Sequence, residues 1–486
     1  MTRWRQTAAA VSLLALGLSA CATTSNPAKP DATKPAEKVE AKPLPKGLDG
    51  QTSTAFPSTY QPLPSRATAL VGATVLTATG QQIDNGVVFM SGGKITAVGG
   101  PSTPIPADVA VIDAKGKWIT PGVIDVHSHL GVYSSPGVSA RSDGNEATDP
   151  NTAQVWAEHS IWPQDPGFNR ARAGGVTTMQ ILPGSANLFG GRGVTIKNVP
   201  SLTMQGMKFP GAPYGLKMAC GENPKRVYGG KSRAPSTAMG NVAGYRAAWI
   251  DAADYGRKWD EYRAKVEKKE KADPPKRDLR LETLVGVLRG EILIQNHCYR
   301  ADEMAVMIDI AKEFGFKITT FHHAVESYKA AALLAKEDIC SAMWASWTGF
   351  KMESLDGIDS NAALVWKAGA CAVIHSDDPI MTQRLNQEVA IAMAAGNRIG
   401  LNIPRAEAIK WITANAAKAI GIADRTGSLE VGKAADVVVW SRDPFSVYAQ
   451  ADQVYVDGAL TYDRHDPRYQ PKSDFELGQP GQGAFN

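Results

Sequence analysis

Histidine is scarce in this chain, at 8 of 486 residues. Cysteine is scarcer, at 5, and no C-x-x-C pair occurs. That absence excludes the usual thiolate zinc site. Cys220, Cys298, Cys340 and Cys371 lie far apart, in or beside apolar segments. An oxidising compartment would permit a disulfide, but four buried, reduced thiols are the expected state. A surplus of one charge sign is missing as well. Lys and Arg number 52 against 48 Asp and Glu, a formal net charge of +4, and Arg3 and Arg5 carry two of those charges. A chain this close to neutral lacks the basic footprint of a nucleic-acid-binding protein. Beyond the first residues, no apolar run is long enough to cross a bilayer.

The start of the chain is of a different kind. Arg3 and Arg5 precede a short apolar stretch, Ala8–Ala20, which has the length of a signal peptide rather than a membrane span. It closes on Leu18-Ser-Ala-Cys21. That run resembles the lipobox of bacterial lipoproteins. The resemblance assigns residues 1–21 to a lipoprotein signal segment, cleaved before Cys21, with lipidation of that cysteine as the new first residue. With Ala22 next, it implies anchoring to the outer membrane on the periplasmic side. An ordinary secretory peptide is the alternative, and either way the chain is exported. Residues 22–65 are rich in Pro, Lys, Ala and Thr without apolar periodicity, which reads as a disordered tether. Membrane contact is therefore expected only through the N-terminal lipid anchor.

The remaining ~420 residues suit one large barrel plus a small accessory domain. Residues 66–118 read as short strands punctuated by Gly, Asn and Asp. A similar all-β stretch returns over 425–465, before a tail at 466–486. The two stretches predict one small β-sandwich built from both chain ends. Between them, residues 119–424 alternate strand and helix. The strands expected are Gly122–Val126, Val176–Leu182, Gly193–Lys197, Gly215–Cys220, Glu291–Asn296, Lys317–Phe321, Ile339–Met343 and Ala370–Ile374. Amphipathic helical patterns lie between the later ones, which argues for parallel strands with crossover helices. Eight such units make an α/β fold of the (β/α)8 TIM-barrel type, with its active site at the C-terminal strand ends. A charged segment at about 240–288 reads as a solvated helical hairpin, with a lid or a homo-oligomer contact as alternatives.

The few histidines fall where that architecture would put a site. His127, His129, His297, His322, His323 and His375 each follow one of the apolar runs. His127 and His129 form an H-x-H pair, and residues i and i+2 of a strand share a face. Two imidazoles on one face are poor core material and good ligands for a single cation.

The segment Ile119–His129 (ITPGVIDVHSH) resembles the signature of the metal-dependent amidohydrolase superfamily. So does the C-terminal run from Ala414 through Gly427 to Trp440. Asn296–Asp302 and His323–Tyr328 are similar to the imidazolonepropionase-like and prolidase-like group. The resemblance implies metal ligands at the ends of strands one, five, six and eight: His127, His129, His297, His323 and Asp377. His323 rather than His322 matches the family pattern, so His322 is expected to face the other side of its strand. Strand four offers Lys217, matching the carboxylated lysine of the prolidase-like branch, and Glu222, where a glutamate ligand would lie. The implied cofactor is Zn2+, one ion or two, although imidazole and carboxylate donors also suit other divalent metals. Asp377 is the expected proton acceptor, and Asp378 a turn cap.

Weaker candidates surround these. Arg192 or Lys197 has the chemistry to bind a substrate carboxylate, though the Gly-rich segment around them also reads as a tight turn. Arg300 offers a bidentate clamp or a surface ion pair. His375 either touches substrate or steadies a ligand from behind. Trp344 and Trp347 line the pocket or simply pack. The resulting expectation is a metal-dependent hydrolase of C–N bonds, acting on a small-molecule amide or dipeptide. A deaminase or cyclic-amide hydrolase on the same site is the alternative, and a non-catalytic binding lipoprotein is a further one.

Overall fold

Short apolar runs of β-branched residues between glycines and polar turns become strands here, and most are buried on both faces. A computed structural model describes Leu48 and residues 56–469. The Cys21 lipobox, most of the tether and the tail beyond 469 lie outside the described residues; residues 56–65, expected as disordered tether, are instead packed on the domain, with Tyr60 buried and Thr59 donating to the Gln205 carbonyl at 3.0 Å. In chain order the strands are β1 (Thr68–Leu76), β2 (Gln82–Ser91), β3 (Lys94–Gly99), β4 (Ala110–Asp113), β5 (Trp118–Pro121), β6 (Val123–Ser128), β7 (Val176–Ile181), β8 (Phe189–Lys197), β9 (Tyr214–Ala219), β10 (Ile292–Cys298), β11 (Ile318–His323), β12 (Cys340–Met343), β13 (Cys371–Ile374), β14 (Val437–Trp440), β15 (Ala451–Val456) and β16 (Ala459–Asp463). The helices are α1 (Pro166–Ala173), α2 (Glu222–Gly229), α3 (Ala238–Glu267), α4 (Leu279–Leu288), α5 (Ala301–Phe314), α6 (Ser327–Lys336), α7 (Asn361–Lys367), α8 (Leu385–Arg398), α9 (Arg405–Ala408) and α10 (Ala414–Ala419).

β6 to β13 form one eight-stranded sheet in sequential order. The fold is mixed α/β, and this sheet is nearly closed. Its first and last strands meet where the Asp377 amide donates to the His127 carbonyl at 2.9 Å and the Ser376 amide donates to Asp125 Oδ1 at 3.2 Å. The sheet departs from the all-parallel expectation at one strand. β8 pairs antiparallel with both β7 and β9. The reason is connection length. Only residues 182–188 separate β7 from β8, whereas a parallel crossover needs about a dozen residues or more.

The strands from the two chain ends also differ from expectation. They form one continuous hydrogen-bonded sheet, in the order β16-β15-β14-β5-β1-β2-β3 with β4 beside β1, rather than two separate sheets. β14 pairs with β5, so the ends are joined by main-chain bonds. The sheet curves around its own core of Leu70, Val75, Val88, Ile119, Val437 and Tyr455.

The segment 240–288 is not a solvated hairpin. α3 buries Tyr245, Trp249, Tyr255 and Trp259, and Trp249 lies edge-on to Phe189 of the barrel at 5.4 Å. Only the outer face is charged, with Arg257 paired to Asp254 and Glu261. The aromatic spacing of the inner face was present in the sequence beneath the charge run.

The cysteines are paired, contrary to the reduced state expected from their scattered positions. Cys220 bonds Cys298, 78 residues away, and Cys340 bonds Cys371, 31 residues away. Each bond ties neighbouring strands: the ends of β9 and β10, and the starts of β12 and β13. Thiol titration of the unreduced, unfolded protein should find none of these four free. Replacing Cys340 and Cys371 together by Ser should cost about 2–4 kcal/mol in denaturant unfolding; four reactive thiols and an unchanged midpoint would contradict the pairing.

Candidate metal centre

The strand ends bring together residues that lie hundreds of positions apart. His127 is the penultimate residue of the fully buried strand β6, and His129 lies just past its end. Lys217 comes from β9, His297 from β10, His322 and His323 from β11, and His375 and Asp377 follow β13. Two backbone positions here are unusual. His323 and Asp377 have φ of 67° and 57°, a left-handed conformation that non-glycine residues adopt at a cost. The turn at His323 lets both of its strand-end imidazoles reach the barrel interior. His322 therefore does not face away, as the strand alternation suggested.

A chain of hydrogen bonds sets the central ring. The Gln295 side-chain amide donates to the Ala419 carbonyl at 3.0 Å. Its Oε1 therefore faces His322 and accepts from Nε2 at 2.6 Å. His322 Nδ1 is then the acceptor, and His127 Nδ1 donates to it at 2.9 Å. The lone pair of His127 is left on Nε2, which faces Lys217 Nζ at 3.1 Å and Asp377 Oδ1 at 3.4 Å. His129 is fixed in the same sense. Its Nδ1 donates to the Leu182 carbonyl at 2.8 Å, which turns Nε2 toward Asp377 Oδ1 at 3.0 Å. Such support from behind is what fixes ligand tautomers in metal sites.

Two donor sets result, and His127 belongs to both. One is His127, His129 and Asp377; the other is His127, His323 and His375; within each, the donor atoms lie within 4.8 Å of one another. Several buried ring nitrogens have no hydrogen-bond partner: Nδ1 and Nε2 of His297, and Nδ1 of His323 and of His375. Unpaired buried polar atoms are costly. His323 and His375 belong to the second donor set and fit a divalent cation there, whereas His297 lies against His323 and in neither set. His375 thus stands among the donors, closer to the centre than a merely supporting position.

The electrostatics agree. Burial pushes His127, His297, His322 and His323 well below the ordinary imidazole value, and His375 down to about 3. Burial also lowers Lys217 to about 7. Neutral rings and a neutral amine are what metal ligation and lysine carboxylation require. Burial alone would raise Asp377, but its contact with His129 Nε2, and less strongly the proximity of His375 and Lys217, lowers it below the usual carboxylate range.

Four sequence candidates stand elsewhere. The Glu222 carboxylate begins α2, is 32 % exposed and lies 3.5 Å from Lys351. Of the two strand-four candidates, only Lys217 reaches the centre. Arg192 lies over the Trp156 ring at 4.1 Å and donates to Thr283 of α4 at 2.8 Å, so it packs rather than greets a substrate. Lys197 is buried between Asp436 and Asp457, each 3.0 Å away. The reversed direction of β8 explains this: Lys197 pairs with Thr178 near the start of β7, at the barrel end opposite the histidines. Arg300 pairs with Asp302 at 3.0 Å and is largely exposed. Sequence reasoning missed Gln295 as the origin of the tautomer chain. Its i, i+2 relation to His297 was the available signal.

An amidohydrolase from Thermotoga maritima MSB8 has a crystal structure that superposes with a TM-score of 0.74. It shares 36 % identity, over 82 % of this chain and 100 % of that one. The chain belongs to the amidohydrolase family. The amidohydrolase family model matches residues 326–462. Amidohydrolase tasK of Hapsidospora irregularis is 33 % identical over 396 residues, 78 % of this chain, and the chain spans only 40 % of the length of tasK. The imidazolonepropionase of Brucella anthropi is 24 % identical over 402 residues, 74 % of this chain and 87 % of that protein.

The hydrogen-bond chain can be tested without turnover. In Gln295→Leu, His322 loses its acceptor, and 15N spectra of histidine-labelled, metal-free protein should show His127 in mixed tautomers. Zinc affinity, measured against a chromogenic chelator, should fall by roughly 10–100-fold. A single unchanged tautomer and unchanged affinity would remove Gln295 from the chain.

Proposed function

We propose that this amidohydrolase is a metal-dependent hydrolase of C–N bonds that acts on a small amide or dipeptide at the C-terminal mouth of a (β/α)8 barrel. The observation that carries the reading is the pair of donor sets sharing His127, one of which includes Asp377. His127, His129, His323 and His375 are the imidazoles of those sets, His297 against His323 is a further ligand candidate, and Lys217 is the strand-four ligand, neutral enough at its amine to take up CO2. Zinc is the metal that family resemblance favours. When bound, a divalent cation acidifies water and polarises a carbonyl oxygen.

The remaining steps belong to the chain's own residues. Asp377 lies against His129 through Oδ1, and His323 Nδ1 is 3.7 Å from Oδ2, so its two oxygens face different neighbours. One oxygen holds position while the other takes the proton of the attacking water and delivers it to the leaving nitrogen. The depressed pKa of Asp377 keeps it ionised to accept that proton. The buried walls exclude bulk water and strengthen these charges. A cyclic-amide substrate is the second reading, favoured by the likeness to imidazolonepropionases, and ammonia release would mark a deaminase instead.

Export as a Cys21-anchored lipoprotein completes the proposal. The two disulfides support an oxidising compartment.

Asp377→Asn should lower kcat by about 10²–10⁴-fold while leaving circular dichroism and most of the bound metal unchanged. Near-normal turnover in that variant would sink the mechanism. For the anchor, radiolabelled palmitate should enter the wild-type chain in cells and fail to enter Cys21→Ser; equal labelling would rule it out.

A further inference from the structure

One wall of the centre is continuous with the surface. Aromatic rings stack outward from His323: Trp344 at 4.5 Å between centroids, then Trp347 at 5.4 Å and Phe350 at 5.7 Å from Trp344. Tyr299 closes the inner side, 4.8 Å from His297 and 5.3 Å from His323. Exposure rises along the series, from 1 % at His323 and 6 % at Trp344 to 37 % at Trp347 and 55 % at Phe350. Met352 and Leu355 continue it, at 77 % and 61 %. Single exposed hydrophobic residues are ordinary, but four within nine residues at the mouth of a buried polar centre are a patch that calls for an occupant.

The wall is preformed. The Trp344 indole donates to the Ser376 carbonyl at 3.0 Å. Glu388 accepts from the Ala345 amide and the Ser346 hydroxyl, each at 3.2 Å, which fixes the loop where it leaves β12. The one cation on the wall, Lys351, lies 3.9 Å from the Tyr299 ring centroid and is already paired with Glu353 at 3.3 Å and Glu222 at 3.5 Å. It is therefore no free anchor for a carboxylate. What the wall offers a ligand is the faces and edges of rings.

We infer that Trp344, Trp347 and Phe350, with Tyr299, form the specificity wall of the site and take a bulky apolar side chain, aromatic or long aliphatic, attached next to the C–N bond being cut. The inference rests on the amide-hydrolase reading for the bond and on the ring series for the side chain. A substrate group seated on Trp347 and Phe350 is held one ring away from Trp344, and Trp344 is in contact with His323. Burying those faces supplies binding energy at a distance from the reacting atoms, where it positions the scissile group.

The test compares N-acetyl-L-phenylalanine with N-acetylglycine on the full-length, metal-loaded protein, by calorimetry and by product release. Wild type should bind the phenylalanine probe about tenfold tighter or more. Trp347→Ala and Phe350→Ala should each shrink that preference about threefold, and the double variant should erase it. Binding of N-acetylglycine and metal content should not move. If neither probe is hydrolysed but the binding preference and its loss in the variants remain, the wall stands and the amide-hydrolase reading falls. Equal binding of both probes, or binding of neither, overturns the wall and leaves hydrolysis to be judged on its own products. A preference that survives in the double variant overturns it too. So does a double variant that changes only the oligomeric state on size-exclusion chromatography, which would make the patch a contact between copies of this chain.

Discussion

Six imidazoles and a lysine amine are packed around one carboxylate, and the packing holds only while most of them carry no charge. His127 Nε2 and Lys217 Nζ are 3.1 Å apart. Two positive charges at that distance would repel by roughly 5 kcal/mol at an effective dielectric of about 20, a sum comparable with the whole stability of many domains. Burial settles the matter by keeping the rings neutral. The Gln295–His322–His127 chain then decides which nitrogen of each neutral ring carries its lone pair. Everything that the centre can ligate depends on that prior choice of neutral form and tautomer.

The barrel and the end sheet are held in register by a second buried polar arrangement at the opposite pole. Lys197 lies between Asp436 and Asp457. Tyr60 donates to Asp457, and Thr426 donates to Asp436 at 2.7 Å. Here the charges are kept, because two carboxylates meet one ammonium and their attraction outweighs burial at Lys197. Removing one partner of such a group leaves an uncompensated charge, at a cost of roughly 3–5 kcal/mol. The two poles thus solve the same problem in opposite ways, by neutralisation at the mouth and by pairing at the base.

Much of this was legible in the sequence, and the exceptions share a cause. The eight middle strands were readable because short apolar runs between glycines and polar turns report their own local geometry, and four of them lead into histidine. The neighbours of a residue across the fold were not readable. Nothing near Cys220 names Cys298 as its partner. Lys197 looked like a residue at a strand mouth because β8 was taken as parallel; the short connection before it reverses the strand and moves Lys197 to the base. Glu222 sits five residues beyond Lys217, and only the turn into α2 shows that its carboxylate leaves the centre. The aromatic face of α3 was masked by the charged face that shares its sequence.

The left-handed backbone at His323 and Asp377 has a consequence for how this protein responds to selection. At each position glycine would relieve a backbone cost on the order of 1 kcal/mol, and an apolar replacement nearby would relieve the crowding of unpaired ring nitrogens. Two of the strained positions of the fold thus carry members of its donor sets. A library screened for heat resistance alone would therefore drift toward a sturdier and silent barrel, with these two positions among the first to go.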